Sequence, residues 1–147
     1  MFDKELILRD GSADWTSSDL ATGASEVKVE TGVAINETPV KGLAAVVILP
    51  QALIDDGTDT VEAADYAEIR IQESDDDSTY NDLVIFPKVD KDLSAPARVI
   101  RRFATTKKYV RVAVEFYNET KTTDCALDLG KVIVLIGSED WENIPGA

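Results

Sequence analysis

Between Tyr109 and Tyr117 apolar and polar side chains change places almost residue by residue. Val110, Val112, Val114 and Phe116 fall on one side, and Tyr109, Arg111, Ala113, Glu115 and Tyr117 on the other. A period of two is that of a β-strand with one buried face. The pattern recurs where Val27 and Val29 alternate with Glu26, Lys28 and Glu30, and where Ala67, Ile69 and Ile71 alternate with Glu68, Arg70 and Gln72. No stretch sustains a helical period. Strands are expected at 5–9, 26–33, 43–49, 66–72, 81–86, 97–103, 109–117 and 127–136, with the valines of the second facing inward.

About eight half-apolar strands cannot bury their faces in one open sheet, so the chain is expected to be all-β, a two-layer antiparallel β-sandwich. The connections 10–25 and 50–65 are long for a meander and suit crossings between sheets, which makes the path jelly-roll-like. The apolar runs at 43–49 and 132–136 read as central strands buried on both faces, the second entered from Gly130 and left at Gly137. Segments 52–54 or 61–65 have room for a helical turn. The sandwich is expected over residues 1–136, with 137–147 as a C-terminal tail.

Composition narrows the chemistry. A chain of 147 residues forms one domain and buries roughly 68–70% of its unfolded surface. The single Cys125 has no intramolecular partner. The absence of histidine removes Ser-His-Asp and Cys-His nucleophile systems and His-based zinc sites, so no catalytic residue, cofactor or metal is expected. Glu73, Asp75, Asp76 and Asp77 invite a calcium reading, but a loop started at Asp75 puts Tyr80 where the turn needs glycine and Phe86 where the cation needs a bidentate acid. A loop started at Asp55 fails likewise at Tyr66. An acidic hairpin turn is the expectation.

Acidic groups in Met1-Phe2-Asp3-Lys4-Glu5 stand where a secretory leader would be basic, so none is expected. The apolar runs are far short of the ~20 residues that span a bilayer, so no membrane partner is expected, and the sequons at Asn36 and Asn118 get no weight. A net charge of −13 also argues against nucleic acid as a partner, since phosphate binding is driven by basic groups.

The charge is unevenly placed. Arg98, Arg101, Arg102, Lys107, Lys108 and Arg111 lie in a stretch without one acidic residue, giving it +6 and leaving −19 for the rest. Two readings follow: a solvated strand and turn, or a docking patch for an acidic partner surface or a second copy. In the tail, Trp141 and Ile144 interrupt a polar stretch. They fold back on the sandwich or anchor into a neighbouring chain.

The order of segments resembles the jelly-roll capsid cement, or decoration, proteins of tailed phages. Met1-Phe2-Asp3-Lys4 followed by Leu6, Leu8 and Asp10 is similar to that family's amino-terminal start. Ile69, then Gln72-Glu73-Ser74-Asp75-Asp76, then Thr79 and Tyr80, resembles its strand, Ser-Asp-Asp and aromatic hairpin, with Asp77 standing where many such hairpins have glycine. Lys108-Tyr109-Val110-Arg111-Val112 resembles its aromatic-aliphatic-Arg-aliphatic strand, and Gly130-Lys131-Val132-Ile133-Val134 its glycine-led final strand.

The resemblance implies a virion component without catalytic residues, made in the host cytoplasm. It would be bound to the outside of the shell, with the major capsid protein and other copies of itself, as dimer or trimer, for partners. The strands around 110–116 or 43–49 are expected to offer edges for self-pairing. A second reading, from another class, is a discoidin-like carbohydrate-binding sandwich. Its mark would be an exposed aromatic platform at the loop tips, for which Trp15, Tyr80 and Trp141 are the candidates.

Overall fold

The computed structural model describes residues 6–35, 42–55, 61, 64–119 and 126–138. Eleven strands lie among them and no helix does. They are β1 (Leu6–Asp10), β2 (Ser25–Val29), β3 (Val33–Ala34), β4 (Leu43–Leu49), β5 (Ile54–Asp55), β6 (Tyr66–Ser74), β7 (Asn81–Ile85), β8 (Ala97–Phe103), β9 (Tyr109–Tyr117), β10 (Leu127–Asp128) and β11 (Ile133–Ser138).

Pairing among the longer strands is nested. The first pairs with the last, β1 with β11; then β2 with β9, β4 with β8, and innermost β6 with β7, all antiparallel. Such a ribbon, folded over itself, alternates its pairs between two sheets. One has the order β1-β11-β4-β8, the other β2-β9-β6-β7 with β3 also on β9. This is a jelly-roll sandwich, as the alternation and the long crossings require. The crossing after β4 contributes β5, which pairs with β10 as a separate two-stranded piece.

The core is the space between the sheets. Val110, Val112, Val114 and Phe116 of β9 are all buried, as are Ala67, Ile69 and Ile71 of β6, and they meet Leu43, Ala45, Val47 and Leu49 of β4 and Val134 and Ile136 of β11. β4 is buried on both faces: Ala44 and Val46 lie under a second cluster on the outer face with Ile48 and Ile100. β11 is not. Val134 and Ile136 face the core, whereas Ile133 and Leu135 are half-buried on the outside.

Several expectations need correction. The strand expected at 127–136 is broken in two, because Gly130 takes φ +74° and a Cβ there would run into Gln51. The strand expected at 26–33 divides into β2 and β3. The third concerns facing. Glu26 and Lys28 stand opposite Phe116 and Val114, on the core side, so Val27 and Val29 point outward and are 53% and 48% exposed. β2 is an edge strand, and its inward positions lie at the rim, where Glu26 accepts hydrogen bonds from Ser18 and lies 3.6 Å from Lys28. Charged residues turned inward at an edge also block pairing with another sheet. The edges expected for self-pairing are misplaced as well, since β4 and β9 both lie inside their sheets. Cys125 and the sequon at Asn36 fall outside the described residues. Asn118 is fully buried, its side chain donating to the Leu20 carbonyl.

The facing of β2 and β9 predicts a contrast between isosteric substitutions. Val112→Thr buries a hydroxyl and is expected to cost about 1–3 kcal/mol, whereas Val27→Thr should stay within about 0.5 kcal/mol. Urea midpoints at constant m-value measure both. Equal losses would contradict the assigned faces.

Candidate docking surface

The fold distributes the six basic groups over two sheets. Five of the seven β8 positions decide one part. Arg98, Ile100 and Arg102 stand opposite Ile48, Val46 and Ala44 on the outer face, while Val99 and Arg101 stand opposite Val47 and Ala45 on the inner face. Arg101 is therefore an inward-facing charge at an edge, and its guanidinium turns back to donate to the Ile100 carbonyl at 3.1 Å. Arg98, Arg101 and Arg102 are all exposed and form no ion pair among the described residues, and the same holds for the exposed Lys108.

Lys107 and Arg111 are engaged within the molecule. Lys107 pairs with Asp75 at 2.9 Å. Arg111 lies on the outer face of the other sheet, where Nε donates to Gln72 at 2.8 Å and the guanidinium stacks 3.9 Å above the Tyr80 ring. The charges that are contiguous in sequence thus form a cluster of three arginines along β8, with Lys108 in the following turn and Arg111 on the other sheet. Period-two arithmetic carried this signal: residues 98, 100 and 102 share a face. Trp141 and Ile144 lie outside the described residues.

The outer face beside these arginines is apolar. Ile7 and Leu135 are paired, Leu135 is opposite Val46, and Val46 is opposite Ile100, which makes one row across all four strands. Ile7 is exposed. The acidic hairpin between β6 and β7 is held in part by its own side chains. Asp76 accepts the backbone N–H groups of Ser78 and Thr79 and the Ser74 hydroxyl, each at 2.9 Å. The Thr79 and Ser78 amides, then the Ser74 hydroxyl, hold its carboxyl below the usual carboxylate value. Asp77 has φ +59°, a conformation that Asp tolerates better than most residues. Its carboxylate accepts the Tyr80 hydroxyl, and Gly32 makes room for both, since a Cβ there would overlap them.

Trp15 and Tyr80 form no open aromatic platform among the described residues. Trp15 is 4% exposed, buried with the Arg9 guanidinium 4.5 Å over its ring. Arg9 also pairs with Glu30 and donates to the Ala13 carbonyl at 2.6 Å, tying β1 to the segment after β2. Tyr80 has one face under Arg111 and its hydroxyl on Asp77. Trp141 is not described.

The strand pairing defines the class: a jelly-roll sandwich with a basic edge and no aromatic platform among its described loop residues. The sequence matches no protein-family model and no curated protein. Among solved structures it is similar to a chain of "Structure of infectious bursal disease virus Gx strain", at 12% identity and a TM-score of 0.45, over 98% of this chain and 33% of that one. The chain thus spans about a third of the length of that viral chain.

The Tyr80 contact carries a titration prediction. Burial, then the hydrogen bond to Asp77 and its charge, push the phenol up from 10.0 to about 12. A raised folded value means that the contact stabilises fully below about pH 10, the unfolded phenol value, and is lost as pH rises through about 12. Asp77→Asn keeps a side chain suited to φ +59° but removes the negative charge. NMR of labelled tyrosine should show the Tyr80 phenol titrating earlier in the variant, and the stability gap between the two proteins should close in strong alkali. An unchanged midpoint would mean that Asp77 does not hold the hydroxyl.

Proposed function

We propose that this chain is a structural protein of a virion, a cement or decoration protein that sits on the outer surface of a capsid shell and stabilises it. The observation that carries the reading is the exposed arginine cluster on β8 beside an apolar outer face, in a protein otherwise strongly acidic. Charge of one sign at the rim of an apolar patch steers and orients a macromolecular partner. A jelly roll by itself serves capsids, lectins and other proteins alike. The burial of Trp15 favours the capsid reading over the glycan one, because sugar recognition needs an open ring face.

On this reading the partner is the major capsid protein, met through Arg98, Arg101 and Arg102, with Lys107, Lys108 and Arg111 adding to the field. Trp141 and Ile144 supply apolar anchoring, and copies meet as dimers or trimers at symmetry axes of the shell. The role requires no cofactor or catalytic group.

Purified protein added to shells assembled without it should co-sediment with them and raise the temperature at which they rupture. A ligand that binds only the intact lattice stabilises it by about 2.7 kcal/mol at a hundredfold excess over Kd. Arg98→Glu with Arg102→Glu should slow association and flatten its salt dependence. Equal rupture temperatures with and without the protein would remove the cementing role. Binding to immobilised glycans but not to shells would favour the carbohydrate-binding reading.

A further inference from the structure

The sandwich has four edges among the described residues, and three are broken. β1 has five residues and its register with β11 shifts between Ile7 and Arg9. β7 also has five, with a shift opposite Ile71 and Gln72. β2 stops after five, and β3 resumes along β9 for only two. Bulges and short edges are the usual protection against unwanted strand pairing. β8 lacks both: it runs seven residues, from Leu49 opposite Ala97 to Leu43 opposite Phe103, without a shift. A regular edge of that length presents a row of backbone donors and acceptors to any extended chain.

Its side chains select which chain. Arg98 and Arg102 project on the outer face and Arg101 on the inner, so both faces of an added strand would meet a guanidinium. Two copies of β8 paired antiparallel about Ile100 would set the Arg98 of each against the Arg102 of the other, and like charges directly opposite are destabilising. An extended segment bearing carboxylates at alternate positions meets the opposite situation. Its acids pair with Arg98 and Arg102 on the outer face while its backbone completes the sheet, and the apolar residues between them turn to the inner face beside Val99.

We infer that β8 is a strand-addition site: it takes an extended acidic segment of a partner protein as a fifth strand of the β1-β11-β4-β8 sheet. The inference rests on the docking reading above for the source of that segment, and it adds the mode of contact and the chemistry of the partner.

The test uses the full chain and two capped peptides of about ten residues, long enough to cover a strand of ordinary length. One alternates Glu with Val. The other has the same sequence with alternate backbone nitrogens methylated, which removes the sheet donors and leaves the charge. Fluorescence anisotropy should show binding of the first and at least roughly tenfold weaker binding of the second, since main-chain hydrogen bonds supply the affinity in this mode. Hydrogen exchange should slow at Ala97–Phe103 when the first peptide binds. Arg98→Glu with Arg102→Glu should abolish binding, and Lys28→Glu, on the β2 edge of the other sheet, should leave it nearly unchanged.

Equal binding of the methylated peptide, or protection elsewhere than β8, would overturn strand addition, because contact would then be ionic adsorption only. No binding of either peptide would overturn it too and leave the arginines as guards of the edge. The peptides require no variant, so misfolding of the arginine double substitution would not obscure the result. Shell co-sedimentation separates the two readings: shells bound without peptide binding overturn strand addition alone, and peptide bound without shell binding overturns the docking reading.

Discussion

Burial of one face of β9 is the constraint from which the rest of the architecture follows. The strand is hydrogen-bonded on both sides, to β6 over nine residue pairs from Tyr66 opposite Tyr117 to Ser74 opposite Tyr109, and to β2 and β3 on the other. Val110, Val112, Val114 and Phe116 are fully removed from water. A slip of one residue would put all four on the outer face and bring Arg111 and Glu115 into the core. The register is therefore fixed by burial rather than by any turn. With β9 fixed, β6 presents Ala67, Ile69 and Ile71 to the same core, and the opposing sheet must supply a matching face. β4 and β11 do so through Val47, Leu49, Val134 and Ile136.

This dependence explains which parts of the fold were legible in the sequence. β4, β8 and β9 have the bounds that alternation or apolar runs give them, because each stands against a continuous neighbour. The all-β sandwich and its crossings followed from the number of such segments and the length of the connections between them. Facing at the periphery was not legible. In β2 valines alternate with charges just as in β6, and the same pattern fits either orientation; β2 is an edge strand whose core-side positions, Glu26 and Lys28, are half-buried and exposed. β5 was missed for a different reason: Ile54 and Asp55 are a strand only because Leu127 and Asp128 pass beside them, a contact between residues more than seventy apart.

The candidate surface was half legible. A run of six basic residues is visible in any sequence, but proximity along the chain is not proximity in space when a turn passes between sheets. Lys107 and Arg111 are drawn off by Asp75 and by Gln72 and Tyr80, and the arginines without an ion pair among the described residues lie on one strand, with Lys108 in the turn beyond it. The hairpin shows the opposite case. Asp77 takes a left-handed backbone that aspartate accepts, and its carboxylate is used to hold Tyr80 against Arg111.

A regular seven-residue edge is an aggregation hazard for any protein. The chain handles it by sign rather than by shape. Arginines on both faces of β8 repel a second β8, and the acidic remainder of the molecule has no comparably flat described edge to offer, since β1, β2 and β7 are interrupted or short. Mutual pairing is thereby suppressed without bending the strand. Bulging β8 would have given the same protection, as it does in β1, but would also have removed the backbone row that an acidic strand could join. Keeping the edge straight and charging it leaves one kind of partner able to use it, and that selectivity is a stronger argument for a docking role than the net charge of the segment alone.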